Sequence, residues 1–373
     1  MRKKNRTAAE QEQLAASASQ SKLIYWKFRQ HKFAVIAFYV LALFYIVAIF
    51  AGFFAVNDPD ARFANMQNAP PSRIYIFEDG NLRLPFIYLL ERELNLDTFE
   101  FDYSELRDNP QRLRFFQRGF SYRIFGVIPA SVQLIGVEEG PFLPMGADSM
   151  GRCLFSRIVF GSQISLTIGL VGVALSFFIG VLMGGISGYF GGTIDEAIQR
   201  VIDFVVSIPA IPLWMALSAI IPRDWPVIRT YFAITVILSL VGWCTLARVV
   251  RGRLLSLREE DFVAAATVSG ARPRRIITRH LLPSFSSHLI VSVTLSVPRM
   301  ILSETALSFV GIGMQPPAIS WGVLLQDAQN LMAIANYPWQ LYPAVAIIVA
   351  VLMFNFFGDG LRDAVDPYGV KQS

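Results

Sequence analysis

Few side chains in this 373-residue chain could do covalent or phosphate chemistry, and they are unevenly placed. Lysine occurs at positions 3, 4, 22, 27 and 32 and then only at Lys371. A phosphate-cradling P-loop needs a Gly-Lys pair and a Schiff base needs a lysine amine, so the lysine-free body can supply neither. His31, His280 and His288 form no HExxH and no ligand spacing with Cys153 or Cys244. They read as surface or interface residues, and two cysteines give no disulfide framework. What remains is Arg299 and Glu304, five residues apart and the only Asp, Glu, Lys or Arg in the apolar run from Phe285 to Val310. A charge at a bilayer centre costs roughly 2.5–3.5 kcal/mol, so each must face protein, water or the other. A separation of three or four would suit a helical pair better than five. The expected role is a polar contact or gate, with direct substrate binding as the other reading, and Pro209 joins them as a candidate pathway residue because proline in a span frees a backbone carbonyl.

The elements that must hold these residues are membrane spans. The chain is 54% hydrophobic, too apolar for an ordinary soluble protein of its length. About 20 apolar residues cross a bilayer, and such runs occur near 33–56, 166–186, 201–221, 231–250, 285–310 and 341–357. The polar, basic residues 1–32 read as an uncleaved cytosolic tail that orients the first span, although a basic arm can also bind nucleic acid. Arg248, Arg251, Arg253, Arg258, Arg272, Arg274, Arg275 and Arg279 place residues 251–283 on the same inner side by the same rule. Residues 57–158 read as an insert on the outer face. Within it Arg73–Tyr88 suggests two strands around Asp79–Gly80, and Glu91–Phe116 suggests a charged helix broken at Pro110. It is either a solvated cap or a platform for an extracytoplasmic partner. In the second span Gly172, Ser176, Gly180, Gly184 and Gly188 recur every fourth residue, a stripe that lets a neighbouring backbone come close.

The charged stretch between the fourth and fifth spans has its own punctuation. Ser256 and Glu259 have capping-box spacing, residues 259–261 put acid in a first helical turn, and Ala264–Ala266 keep one surface slim. Gly270 is a natural stop. Pro273 fits the start of a second helix carrying Arg274, Arg275 and Arg279 until Pro283 ends it. A helix this short is marginal alone in water, so it must lean on something.

This stretch resembles the cytoplasmic EAA loop of ABC importer permeases, with Ala264–Ala265–Ala266, Gly270 and Leu282–Pro283 in register and Ala264 standing where the family usually has Glu. Three further runs resemble the dipeptide/oligopeptide branch. The first has Gly146, Asp148, Gly151, Arg152, Ser156, Arg157, Gly161, Ser165 and Leu166, with departures at Ala147, Cys153 and Gln163. The others are ETALSFVGIG from Glu304 with Ser320–Gly322, and NFFGDGLRDAVDP from Asn355 to Pro367. The resemblance implies an all-α polytopic fold of about six spans with a small mixed extracytoplasmic insert, a permease core over 159–359 and cytosolic termini, the last being 360–373. It implies a C-type permease in the inner membrane, surrounded by lipid, binding no nucleic acid and holding no catalytic residue or metal. A second homologous permease, two ABC ATPase subunits carrying ATP and magnesium, and an extracytoplasmic binding protein would be its partners. Glu260, Asp261, Phe262, Ala264, Ala265, Gly270 and Arg274 would form the surface on which an ATPase subunit docks. Dipeptides or oligopeptides are the expected substrates, with oligosaccharides or nickel as alternatives for the same machinery. A self-sufficient secondary transporter would instead need a gradient-coupling carboxylate such as Glu304.

Overall fold

The computed structural model describes residues 20–78, 81–94, 96, 101–124 and 126–365. Among these residues five helices are long and apolar enough to cross a membrane, and a bent helix pair makes a sixth crossing if counted as one. Helix α1 (Gln20–Gln30) leads into α2 (Lys32–Ile49), whose first turn is capped by His31 Nδ1 accepting from the Ala34 amide at 3.3 Å. The long α3 (Leu154–Phe190) is followed by the bent pair α4 (Gly192–Ser207) and α5 (Ala210–Ser218). Then come α6 (Val227–Leu257), the short α7 (Asp261–Val268), α8 (Ser286–Phe309) and α9 (Tyr342–Val365).

The bundle core gathers Leu41 of α2, Leu166 and Ile168 of α3, Ile234 and Leu238 of α6, Ile301 of α8 and Ile347 of α9. Close approach of α3 and α6 follows from the small-residue stripe. A Cβ on Gly184 would lie 2.4 Å from the Ala247 carbonyl oxygen, so only glycine permits that crossing. The stripe is therefore a packing device. Gly191, at φ +66°, ends α3, and Asp195 in the next turn receives both Nε and Nη2 of Arg251 at 2.5 Å.

Several local expectations are corrected. The third crossing, expected over 201–221, starts earlier and is broken in two: α4 and α5 meet at 85° across Ile208 and Pro209, which caps α5. Ser256 does not start the loop helix. It lies inside α6, whose buried Val250 and Leu254 carry the helix on to Leu257, and α7 begins at Asp261 with Glu260 as an N-cap without a side-chain bond. Pro283 does not end the second loop helix either. Pro273–Ile276 opens into a π turn over Ile277–Leu281, and Pro283 sits inside the short helix Leu282–Ser284 that follows. Proline is tolerated there because the wide turn leaves its missing N–H without a required partner. Helix α3 reaches back to Leu154, within the residues 57–158 assigned to the insert.

Between the short helix Ala51–Phe54 and α3, the regular structure among the described residues is strand. β1 (Ile74–Glu78), β2 (Asn81–Leu94) and β3 (Phe101–Arg112) form one antiparallel sheet in that order, and β4 (Arg114–Ile124) pairs with β5 (Ile128–Gly136) in another. The expected first hairpin is present, with Glu78 opposite Asn81; its turn residues Asp79 and Gly80 lie outside the described residues. The helix expected over Glu91–Phe116 is instead parts of β2 and β4 and all of β3, because those residues pair in register, Arg92 with Tyr103 and Leu90 with Glu105. Pro110 is accommodated on the edge strand β3, beside the register shift at Tyr88 and Leu89.

The insert and the α6–α8 loop lie at opposite ends of α3. That helix has 37 residues, about 55 Å at roughly 1.5 Å per residue. Its first turn holds the insert and its last turns pack on Arg251 and Leu254 through Gly188. The ends of α2 and α9 join the loop end, where His31 Nε2 lies 3.6 Å from Asp363.

Candidate functional site

Two features at and above the loop end can do mechanical or transport work. The first is α7. Only Val263 of this helix is buried, and it packs with Val250, Leu254, Ile276, Leu281, Phe285 and Leu289, while Ala266 lies against the same cluster. The remainder faces outward: Asp261, Phe262, Ala264 and Ala265 are exposed, and Val268 is 90% exposed. The helix ends in a Schellman motif, in which the Gly270 amide donates to the Thr267 carbonyl at 3.0 Å and the Ala271 amide to the Ala266 carbonyl at 3.1 Å. Gly270 has φ +75° and open space around its Cβ position, so glycine is needed for backbone conformation and not for room. Glu260 and Arg274 are exposed beside the helix. All seven residues singled out on this loop are therefore exposed, as is Val268. Phe262 and Val268 are the large apolar side chains of this helix left exposed.

The second feature is a cavity of about 430 Å³ between α3, α5, α6 and α8. Arg299 lines it, as do Ser292, Ser296 and Ser303 from the same helix, and Ala210 and Trp214 come from α5 just beyond the Pro209 break. Of the three residues expected along a pathway, Arg299 lines this cavity, and Pro209 directly precedes its lining residue Ala210.

Glu304 is elsewhere. Its side chain is fully buried and accepts hydrogen bonds from Ser308 Oγ and Ser320 Oγ, each at 2.8 Å. Ser320 also takes the Val323 amide at 3.2 Å as the N-cap of the short helix Trp321–Leu324, whose Trp321 donates from Nε1 to the Ile158 carbonyl at 3.0 Å. Glu304 therefore clamps α8 to the segment beyond it, and does not pair with Arg299, which is exposed on another face.

A third polar cluster sits where the insert meets α3. Arg157 is 1% exposed; it donates from Nη1 to the Pro59 carbonyl at 3.1 Å, and its Nε lies 3.5 Å from Asp148 Oδ2 as an ion pair. Asp148 is itself buried and takes Arg152 Nε at 2.7 Å together with the Met150 and Arg152 amides, both at 2.9 Å. Gly151, at φ +75°, brings this turn against the Phe63 carbonyl, where a Cβ would lie 2.5 Å away.

The serine stripe of α8 and the Ser320 acceptor network were not singled out from sequence. The stripe's signal was present, since 292, 296, 299 and 303 are spaced by four, three and four. No local signal identified Ser320 as the partner of Glu304.

Apolar spans, an uncovered helix at one end and a cavity between four helices describe a multi-pass membrane protein. Residues 176–368 match the family of binding-protein-dependent transport system inner membrane components, and residues 19–71 match the N-terminal transmembrane domain of oligopeptide transport permease C. The oligopeptide transport system permease protein OppC of Bacillus subtilis is 37% identical over 223 residues, 60% of this chain and 70% of that protein. The OppC protein of Haemophilus influenzae is 40% identical over 60% of this chain and 69% of its own length, and the dipeptide permease DppC of Bacillus subtilis 38% over 60% and 68%. Among solved structures, an inward-facing form of the MetNI methionine ABC transporter has a TM-score of 0.43 at 20% identity, covering 57% of this chain and 98% of that one. The chain belongs to the family of binding-protein-dependent transport system inner membrane components, and is a permease subunit of an ABC importer. The five strands of the insert lie between the two matched stretches.

Proposed function

We propose that this permease imports dipeptides or oligopeptides, that its α6–α8 loop is cytosolic, and that α7 is the element gripped by a separate ATPase subunit. The peptide reading is supported by the names of the similar proteins. The grip rests on one observation: α7 commits a single buried side chain to the bundle and leaves Phe262 and Val268 uncovered at its outer face. Two ATPase subunits carry ATP and magnesium, a second, homologous permease completes the pathway, and both termini lie in the cytosol. The insert at the far end of α3 faces outward and receives the binding protein. When ATP draws the ATPases together, a pull on α7 passes through Val263 into the apolar cluster shared by α6 and α8, and tilts the helices that wall the cavity. Glu260, Asp261 and Arg274 steer the docking, while Ala264 and Ala265 allow close approach. Pro209 gives α5 the freedom to move against α4, Arg299 lines the path, and Glu304 holds α8 to the outer segment while the spans rock.

The test is Phe262→Asp. Placing a charge in an apolar docking surface is expected to lower copurification of the ATPase subunits at least about tenfold, equivalent to about 1.4 kcal/mol, with the thermal midpoint of the permease unchanged. Full recovery of the ATPases with that variant would contradict the docking role.

A further inference from the structure

The cavity carries more detail than a passage requires. Ser292, Ser296, Arg299 and Ser303 form one stripe of α8 along its wall, with Ser176 and Thr245 across from it. Each serine of the stripe has already committed its proton. Ser292 Oγ donates to the His288 carbonyl at 3.0 Å, Ser296 Oγ to the Ser292 carbonyl at 2.8 Å, and Ser303 Oγ to the Arg299 carbonyl at 2.8 Å. Such back-bonding leaves the oxygen lone pairs as the free valence, so these hydroxyls present acceptors to whatever occupies the space.

Arg299 is the complement, a donor-only fork of fixed charge. No carboxylate is among the residues lining the cavity, and Glu304, the one acid on the same helix, is turned into its own serine network. A cation within a span that its own helix does not neutralise calls for water or an anion. The wall therefore offers a row of acceptors for N–H groups and a single bidentate site for a carboxylate, on an otherwise apolar lining. Pockets of roughly 300–1,000 Å³ suit small organic ligands, and the cavity falls in that range at about 430 Å³.

Building on the peptide reading above, we propose that Arg299 is a specificity-determining residue that engages the free C-terminal carboxylate of the passing peptide, while Ser292, Ser296 and Ser303 accept from its backbone N–H groups. The passage then favours zwitterionic peptides over neutral sugars, and it does so in the membrane, apart from any selection by the binding protein.

The experiment uses the complete transporter in proteoliposomes, with two readouts. In the first, Ser296→Cys is labelled with an anionic and a cationic methanethiosulfonate reagent; the native Cys153 and Cys244 are buried and give a low background. The ratio of anionic to cationic rates is expected to fall about tenfold when Arg299→Gln is added, because one fixed charge in a confined site sets the local ion concentration. In the second, ATP-driven uptake of an unmodified tripeptide is expected to fall about tenfold in Arg299→Gln and to recover only in part in Arg299→Lys, which keeps the charge and loses the bidentate fork. An unchanged reagent ratio, or equal uptake by wild type and Arg299→Gln, would overturn the proposal. Absence of tripeptide uptake by the wild type would instead overturn the peptide reading itself, and the labelling ratio would still report the charge at the cavity wall.

Discussion

The two ends of α3 are held together by opposite means. At the insert end, Asp148, Arg152 and Arg157 are buried or nearly so and bonded to one another and to backbone, and glycine-dependent turns bring chain segments within van der Waals distance. At the loop end, α7 rests on the bundle through Val263 and a flanking alanine, and its outer face is open. A buried ion cluster tolerates no partial loss, so the first arrangement fixes one geometry. A short helix seated on one apolar residue can shift with whatever holds it. The difference separates an anchored end from a handled end, and it suits a molecule driven from one side.

The sharpest way to break the comparison is at the anchored end. Asp148→Ala leaves Arg157 buried without its nearest buried carboxylate and two amides without an acceptor, and is expected to cost about 3–5 kcal/mol. The measurement is the thermal midpoint of the purified permease, and a shift no larger than that of a surface mutant would show the cluster to be dispensable. Glu304→Ala comes next. It strips Ser308 and Ser320 of their shared acceptor and is expected to cost about 1–3 kcal/mol by the same assay, with the ATPases still attached. At the handled end, Gly270→Trp places an L residue at φ +75° in open space, a strain of about 1–2 kcal/mol that stays local. Its thermal midpoint is expected to move least of the three, while ATP hydrolysis continues and uptake is lost. Normal uptake would remove Gly270 from the coupling path.

How much of this was legible beforehand differs between the same two regions. The spans follow from apolar length, and the α7 surface follows from alanines, a first-turn acid and a glycine stop, all local signals. Its start was misplaced because Ser256 and Glu259 match a cap in spacing, whereas burial of Val250 and Leu254 keeps α6 running past that point. The insert was read less well: Glu91–Phe116 is charged enough to suit a helix, and only pairing with β2 makes most of it strand. The buried role of Arg157 has no local signal, because its partners Asp60 and Pro59 are nearly a hundred residues away. Five residues separate Arg299 from Glu304, and that spacing did not reveal that one lines a cavity while the other grips Ser320.

The central claim is that α7 is an outward-facing, cytosolic handle for a partner protein. Val268, 90% exposed on that helix, offers the most direct test. A Val268→Cys variant treated with a membrane-impermeant maleimide is expected to label in inside-out vesicles and not in intact cells, and co-expression of the ATPase subunits is expected to slow that labelling at least about tenfold, the loss of access that corresponds to about 1.4 kcal/mol of occupancy. Labelling from the outer face of intact cells, or a rate indifferent to the ATPases, would contradict the account.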